Sequence, residues 1–156
     1  SYDGADASFE LLARRIIGEI PRYISITEYD VSVKKNSLGE IISSAKANLE
    51  VDGEKIICEG EGNGPVNALD NAIRQNVDRL AKYSEYLKDL KLVDYKVRIL
   101  NTGTEAVTRV SIESTDSKGK NWFTIGVSTN IIDASFKALI DSLDYKLFKD
   151  NAPASI

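Results

Sequence analysis

The chain has 156 residues, a net charge of −4 and a hydrophobic fraction of 42%, which suits one globular domain or two small halves that share a core. It contains no histidine and one cysteine, so Ser-His and Cys-His nucleophile pairs, Cys/His zinc sites and an internal disulfide are excluded. The acidic balance argues against a nucleic-acid partner, and no apolar run reaches the roughly 18 residues of a membrane span, so we expect a cytoplasmic protein.

The first predicted element is an amphipathic helix over residues 5–20, with Asp3 and Asp6 near its start and Pro21 closing it. We expect its apolar side chains to face the core and its charged side chains to face solvent. The apolar set is Phe9, Leu12, Ile16, Ile17 and Ile20, and the charged set is Glu10, Arg14, Arg15 and Glu19.

Three strands and a helix are predicted next. Alternating apolar residues indicate a strand over 24–33 with one slip near Thr27, and further strands over 45–51 and 55–59. The buried position expected for Cys58 lies in the third of these strands. A glycine-rich loop then leads into a predicted long helix from Val66 to Leu80, followed by a polar linker over 82–91.

The same order of elements then repeats. Strands are predicted over 92–100, around 110–112 and over 122–127, and a helix over 131–148. Tyr29 matches Tyr95 at an offset of 66 residues, and so do Gly60 and Gly126. The pattern predicts an α+β fold of two pseudo-twofold βββα units, over 23–85 and 90–150, packed as one domain behind the N-terminal helix. The alternative is a chance likeness between two ordinary α+β stretches.

Both strand-to-helix loops are candidates for holding an anion, because backbone N–H groups at a helix start are free to bind one. Residues 60–66 read GEGNGPV and lack the spacing of a nucleotide-binding loop. A plain turn is the competing interpretation. If the ligand were a zwitterion, Asp94 or Asp133 could meet its ammonium group, although Asp133 also suits the first turn of a helix. Leu92, Tyr95 and Ile99 could form an apolar wall or belong to the core.

Several runs resemble the C-terminal allosteric module of the 2-isopropylmalate synthase and citramalate synthase family. Residues 62–69 read GNGPVNAL, 93–97 read VDYKV, 122–135 read WFTIGVSTNIIDAS and 141–147 read DSLDYKL. Residues 2–12 are similar to the segment that joins the catalytic part to this module. The run GVSTNII and the Asp-Ser pair at 141–142 are most similar to the citramalate synthase branch. Asn63 and Asn67 stand where the leucine-sensing branch often has Asp, which weakens the case for ammonium recognition there.

The resemblance implies a regulatory domain over 23–156 and a linker helix over 1–22 from an absent catalytic part. That part would condense acetyl-CoA with pyruvate on a divalent metal, so no cofactor is expected in this domain. The implied partners are a second copy of the chain and a branched-chain amino acid, isoleucine in the citramalate branch and leucine in the other. The implied effector-binding residues are Gly62, Asn63, Gly64, Pro65, Ala68, Leu92, Tyr95, Ile99, Val127, Ser128, Thr129 and Ile131.

Three other functions are alternatives to an amino-acid sensor. A dimerisation module that binds no effector would share the same apolar surfaces. A small carboxylate enzyme built on Asp94, Asp133 or Glu61 would need a pairing of these groups that the sequence does not indicate. RNA binding through the glycine loop is disfavoured by the net charge and by the scarcity of Lys and Arg near Gly62.

Overall fold

The structure, a computed structural model, describes residues 6–156 apart from the side chain of Thr102. The expected helix start at residue 5, the acidic Asp3 and the first residues of the joining segment lie outside the described residues. The chain forms two compact units. The first unit comprises Arg22–Lys88 with Pro153–Ile156, and the second comprises Asp89–Ala152 with the chain before Arg22.

The element order confirms the predicted α+β class with two βββα units. The elements are α1 (Asp6–Ile16), β1 (Ser25–Lys35), β2 (Ile41–Val51), β3 (Glu54–Gly62), α2 (Pro65–Arg74), α3 (Ser84–Leu87), β4 (Lys91–Thr102), β5 (Glu105–Thr115), β6 (Asn121–Ser128) and α4 (Ile131–Lys149). The first unit holds an antiparallel sheet in the order β1-β2-β3, and the second holds one in the order β4-β5-β6.

Each sheet buries one face under its own helix. In the first unit α2 packs on β2 and β3, where Leu49, Cys58 and Leu69 are fully buried. The predicted burial of Cys58 is therefore confirmed. In the second unit α4 packs on β5 and β6, and Val110 and Ile112 are fully buried. Both helices cover the central strand and one edge strand, so β1 and β4 form the less covered edge of each sheet.

A glycine in the third strand of each unit allows the helix to approach closely. A Cβ on Gly60 would overlap the backbone of Ala72, and a Cβ on Gly126 would overlap the carbonyl oxygen of Ala134. Gly60 and Gly126 are one of the pairs that the offset of 66 residues matches. The repeat in the sequence therefore reflects a repeated helix-to-strand contact.

Matching β-bulges interrupt β1 and β4. The register of β1 with β2 shifts between Ile26 and Glu28, which confirms the slip expected near Thr27. The register of β4 with β5 shifts between Leu92 and Asp94, so Val93 is the extra residue. The two bulges are again 66 residues apart.

The long helix predicted from Val66 to Leu80 is wrong in its second half. Helix α2 ends at Arg74, and two 3₁₀ turns follow before α3. The side chain of Asn76 donates hydrogen bonds to the carbonyl oxygens of Ala72 and Glu59, which draws the chain to the edge of β3. The expected polar linker is also more ordered than predicted, because Tyr83 and Leu87 are fully buried.

Helix α1 packs with the face opposite to the one predicted. Ala7 and Leu11 are its buried residues, whereas Phe9, Leu12 and Ile16 are 72%, 56% and 76% exposed. The inward face instead carries Ser8, Glu10, Arg14 and Arg15, because α4 offers partners to these polar side chains.

Helix α1 also ends earlier than expected. Gly18 adopts φ 75°, and its N–H donates to the carbonyl oxygen of Arg15 while that of Glu19 donates to Arg14. This pair of bonds is the glycine-dependent helix ending that satisfies the last carbonyl groups, and it stops the helix before Pro21.

Candidate functional site

The effector residues implied by the sequence fall into two groups, one in each unit. Gly62, Asn63, Gly64, Pro65 and Ala68 belong to the first unit, at the junction of β3 and α2. The second unit holds the rest, on β4 and at the junction of β6 and α4: Leu92, Tyr95, Ile99, Val127, Ser128, Thr129 and Ile131.

The three candidates on β4 share the helix-bearing face of their sheet. Tyr95 lies opposite Ile112 and Leu92 lies opposite Ser114, and both partners on β5 are buried. Leu92 and Tyr95 are three residues apart, so a regular strand would place them on opposite faces. The bulge at Val93 supplies the extra residue that brings them onto the same face.

This β4 surface is largely uncovered within its own unit. Helix α4 packs on β5 and β6, and Tyr95, Val97 and Ile99 remain 39%, 39% and 70% exposed. Three neighbouring apolar side chains on a strand at the sheet edge are typical of a surface that meets a ligand or another chain. We call this set, together with Leu92, the β4 apolar face.

The junction of β6 and α4 adds polar groups near one end of that face. Ile99 lies opposite Thr108, which lies opposite Ser128, so Ile99 and Ser128 occupy one row of the sheet. Two strand spacings separate them, or roughly 10 Å. Thr129 and Ile131 follow directly at the helix start, where Ile131 is 37% exposed. Val127 points to the opposite face of the sheet, so the structure does not bring it to this end of the β4 apolar face.

The two helix starts differ in how their backbone N–H groups are satisfied. Asn130 is the cap of α4, and its side-chain oxygen accepts from the N–H groups of Ile132 and Asp133 at 2.8 and 3.1 Å. No side chain caps α2, whose cap residue is Gly64 and whose first residue is Pro65. The start of α2 therefore leaves its backbone N–H groups without a side-chain acceptor, whereas the start of α4 does not.

Within that loop the candidates have distinct environments. The space beside Gly64 is open, whereas the side chain of Asn67 fills the space beside Gly62. Ala68 is fully buried, and its N–H donates to the carbonyl oxygen of Gly64 at 2.9 Å. Gly62 and Ala68 thus serve the packing of α2, and the open surface of this group lies at residues 63–65.

The three carboxylates considered for an ammonium group or for catalysis lie on different elements. Asp94 lies opposite Glu113 on the sheet face away from Tyr95. Asp133 pairs with Lys137 at 3.1 Å on the surface of α4. Glu61 lies in the first unit, on β3. Among residues 6–156 no group of His, Cys, Asp or Glu side chains has the arrangement of a metal site.

Two ionic clusters in the second unit were not found from the sequence. In one, the Lys146 ammonium group meets Asp116 at 3.0 Å and Asp150 at 2.5 Å while its side chain is 3% exposed. Burial would lower the pKa of Lys146, but the hydrogen bonds that it donates to Asp150 and Asp116 raise it overall. The only signal was that Asp150 follows Lys146 by four residues at the end of a predicted helix.

The second cluster ties α1 to α4. Arg15 donates to Asp141 at 2.9 Å and to Asp144 at 2.8 Å. Burial raises the pKa of Asp144 to about 7, against the opposing effect of Arg15 and with a further contribution from Asp141. Arg15 precedes the two carboxylates by 126 and 129 residues, so spacing along the chain did not indicate this cluster.

The fold and the β4 apolar face define an α+β binding or assembly domain. No described helix is long and apolar enough to cross a membrane. The family model of the LeuA allosteric (dimerisation) domain matches residues 3–147, and the chain belongs to this family.

Named relatives agree with that assignment. The chain is 45% identical over 151 residues to an (R)-citramalate synthase of Geobacter sulfurreducens and 45% identical over 152 residues to one of Aquifex aeolicus. It is 29% identical over 126 residues, or 80% of its length, to a 2-isopropylmalate synthase of Histophilus somni. The first two alignments cover 95% and 96% of this chain but only 28% of each relative.

Proposed function

We propose that the chain is the amino-acid-binding regulatory and dimerisation domain of a citramalate synthase, an acyltransferase that condenses acetyl-CoA with pyruvate in the cytoplasm. Isoleucine is the proposed effector and inhibits the enzyme by feedback. The family match and the higher identity to relatives named (R)-citramalate synthase support the proposal. We place the catalytic part of such an enzyme in the portion of those relatives that this chain does not align with.

The observation that carries the proposal is the β4 apolar face. Tyr95 and Ile99 are exposed on the sheet face that α4 covers further along, where Val110 and Ile112 of the neighbouring strand β5 are fully buried. Leaving such side chains in water forgoes roughly 1.5–3 kcal/mol for each that could be fully buried. Burial against an aliphatic effector or against a second copy of the chain would recover part of this free energy.

A dimer is also consistent with the exposed edge of β4. The strand is 12 residues long, and its neighbour in the sheet is β5 alone. Edge strands of this length are usually paired or covered. The effector and the second copy are thus proposed to use the same part of the second unit.

Leucine is the effector of the alternative assignment, the regulatory domain of a 2-isopropylmalate synthase. Leucine and isoleucine have the same composition and differ in where the side chain branches. Pockets that differ by one methylene separate their ligands by only about 1–3 kcal/mol, so the choice must rest on the shape of the apolar surface. A further alternative is a dimerisation domain that binds no effector.

The decisive experiment is isothermal titration of the chain with isoleucine and with leucine. We expect isoleucine to bind at least tenfold more tightly, and Tyr95→Ala to weaken that binding by tenfold or more while the circular dichroism spectrum stays unchanged. Tyr29→Ala is the matched control, because Tyr29 occupies the equivalent position in the first unit. Equal binding by Tyr95→Ala and the unaltered chain would contradict the assigned site.

Sedimentation equilibrium tests the assembly separately. A dimer with no heat of binding for any branched-chain amino acid would favour the effector-free dimerisation domain. Preferential binding of leucine would transfer the proposal to the 2-isopropylmalate branch. Ser128 lies on β6, in the same row of the sheet as Ile99. Ser128→Ala should change affinity by less than Tyr95→Ala, because the side chain of Asn130 already accepts from the N–H groups of Ile132 and Asp133.

A further inference from the structure

We propose that the docking of helix α1 onto α4 is a proton-dependent latch, in which Asp144, crowded by the neighbouring carboxylate of Asp141, binds a proton when α1 is docked and releases it when α1 detaches. The two carboxylates and Arg15 form the latch. The proposal concerns contacts within the second unit and does not depend on which effector the domain binds.

The charges of the latch do not balance. Arg15 is the one guanidinium that donates to both Asp141 and Asp144, at 2.9 and 2.8 Å. The carboxylate side chains are only 17% and 15% exposed, so two negative charges lie close together in a poorly solvated contact with one positive partner. Two carboxylates that share such a site resist ionising together, and one of them holds a proton at a higher pH than usual.

The other groups at the contact do not supply the missing positive charge. From α1, Ser8 donates to Asp141 at 2.9 Å, while Glu10 pairs with Lys149 of α4. Arg14 pairs with Glu10 and Glu19. Strand β6, the third element at this contact, has no charged residue and offers the backbone of Ile125 to Ser8. Asp6 in the first turn of α1 and Tyr145 of α4 add no positive charge.

Helix α1 is held to its unit mainly by ionic and polar contacts with α4. Its apolar stripe of Phe9, Leu12 and Ile16 faces away from the unit, so Ala7 and Leu11 are the only buried apolar residues of the helix. Most helices owe their stability to the burial of an apolar face. A helix held mainly by an ionic contact can be released by changing the charge of that contact.

The direction of the pH effect follows from linkage. The pKa of Asp144 is about 7 when α1 is docked, and detachment would expose the carboxyl and return its pKa toward the ordinary 3.8. The docked state therefore binds the proton more tightly, and raising the pH favours release. Between the pKa values of detached and docked Asp144, each rise of one pH unit favours release of α1 by about tenfold. Above the higher of these two values the docking equilibrium changes little with pH.

Trypsin cleavage after Arg14 and Arg15 reports the release, because both residues are held in the docked helix. The rate of cleavage is followed by mass spectrometry for the unaltered chain and for Asp144→Asn at each pH. The pH dependence of trypsin itself cancels in the ratio of the first rate to the second. Between pH 6 and 7.5 we expect this ratio to rise by about eightfold to tenfold. Asp133→Asn, an exposed carboxylate on the same helix, is the matched control and should behave like the unaltered chain.

Trp122 fluorescence separates release of α1 from unfolding of the unit, since Trp122 is 6% exposed in the core under α4. The proposal expects unchanged fluorescence while the cleavage ratio rises. A ratio that stays constant across the pH range would overturn it, including the case in which cleavage of the unaltered chain and of Asp144→Asn rises equally. A fluorescence change in step with cleavage would also overturn it, because α1 would then not detach separately.

Discussion

Replacing Lys146 with methionine tests the buried ionic cluster of the second unit. The substitution keeps the unbranched stem and removes the ammonium group from between Asp116 and Asp150. Asp116 has a side chain only 2% exposed, so it would be left as a buried carboxylate without its cation. Removing one partner of a buried ion pair costs about 3–5 kcal/mol.

The measurement is urea unfolding of the second unit, followed by the fluorescence of Trp122. In a domain of this length each kcal/mol corresponds to roughly 2–4 °C in Tm, so thermal unfolding should show a loss of roughly 6–20 °C. Lys137→Met is the matched control on the same helix. Its pair with Asp133 is exposed, and its removal should cost no more than about 0.5 kcal/mol.

The pH dependence of this effect has a definite sign. Burial would raise the pKa of Asp116, but the hydrogen bond and charge of Lys146 and the N–H groups of Lys118 and Lys120 lower it overall. A carboxylate with a lowered pKa stabilises the folded state above its unfolded pKa and ceases to do so as the pH falls through its folded pKa. The unaltered chain should lose this stabilisation below about pH 3.8, whereas Asp116 without its cation in Lys146→Met takes up a proton at a higher pH. The difference between the two chains should therefore shrink steadily as the pH is lowered from 7. A loss under 1 kcal/mol at pH 7, or a loss independent of pH, would refute the reasoning.

Two further substitutions probe the repeated architecture. Gly126→Ala should destabilise the second unit by about 1–3 kcal/mol in urea unfolding, because its Cβ would overlap the carbonyl oxygen of Ala134. Gly64→Ala, where the space is open, should cost less than about 1 kcal/mol, and equal costs would contradict the assigned contact. Asn130→Ala should cost about 1 kcal/mol, because α4 loses the side chain that accepts from Ile132 and Asp133, and an unchanged midpoint would contradict that role.

The repeat made most of the fold predictable from the sequence. Alternating apolar residues located all six strands, and matched residues such as Tyr29 and Tyr95 identified the two units. The slip near Thr27 was visible because the alternation breaks there. The equivalent bulge at Val93 was not recognised, because valine fits a regular strand as well as a bulge.

The errors arose where tertiary contacts outweigh periodicity. The spacing of Phe9, Leu12 and Ile16 predicts an inward face, but Arg15 and Ser8 find partners on α4 that reverse the orientation of α1. Helix α2 stops at Arg74 because Asn76 binds the edge of β3, a contact that the local sequence does not encode. Spacing along the chain shows which residues share a face but not what that face meets.

The candidate site could be predicted only in part. The sequence indicated Leu92, Tyr95 and Ile99 as a possible wall, and the structure places all three on one sheet face. It did not indicate that Ala68 is buried, that Asn67 fills the space beside Gly62, or that Val127 points away. Such differences depend on how closely a helix approaches a strand, which is set by packing in three dimensions.

A thermal-shift series with isoleucine, leucine, valine and pyruvate tests the central claim most directly. A ligand at about 100 times its dissociation constant stabilises the folded chain by about 2.7 kcal/mol, or roughly 5–10 °C here. We predict a shift of that size with isoleucine and a clearly smaller one with each of the other three. A shift with leucine alone, or no shift with any amino acid, would contradict the proposal that this domain senses isoleucine.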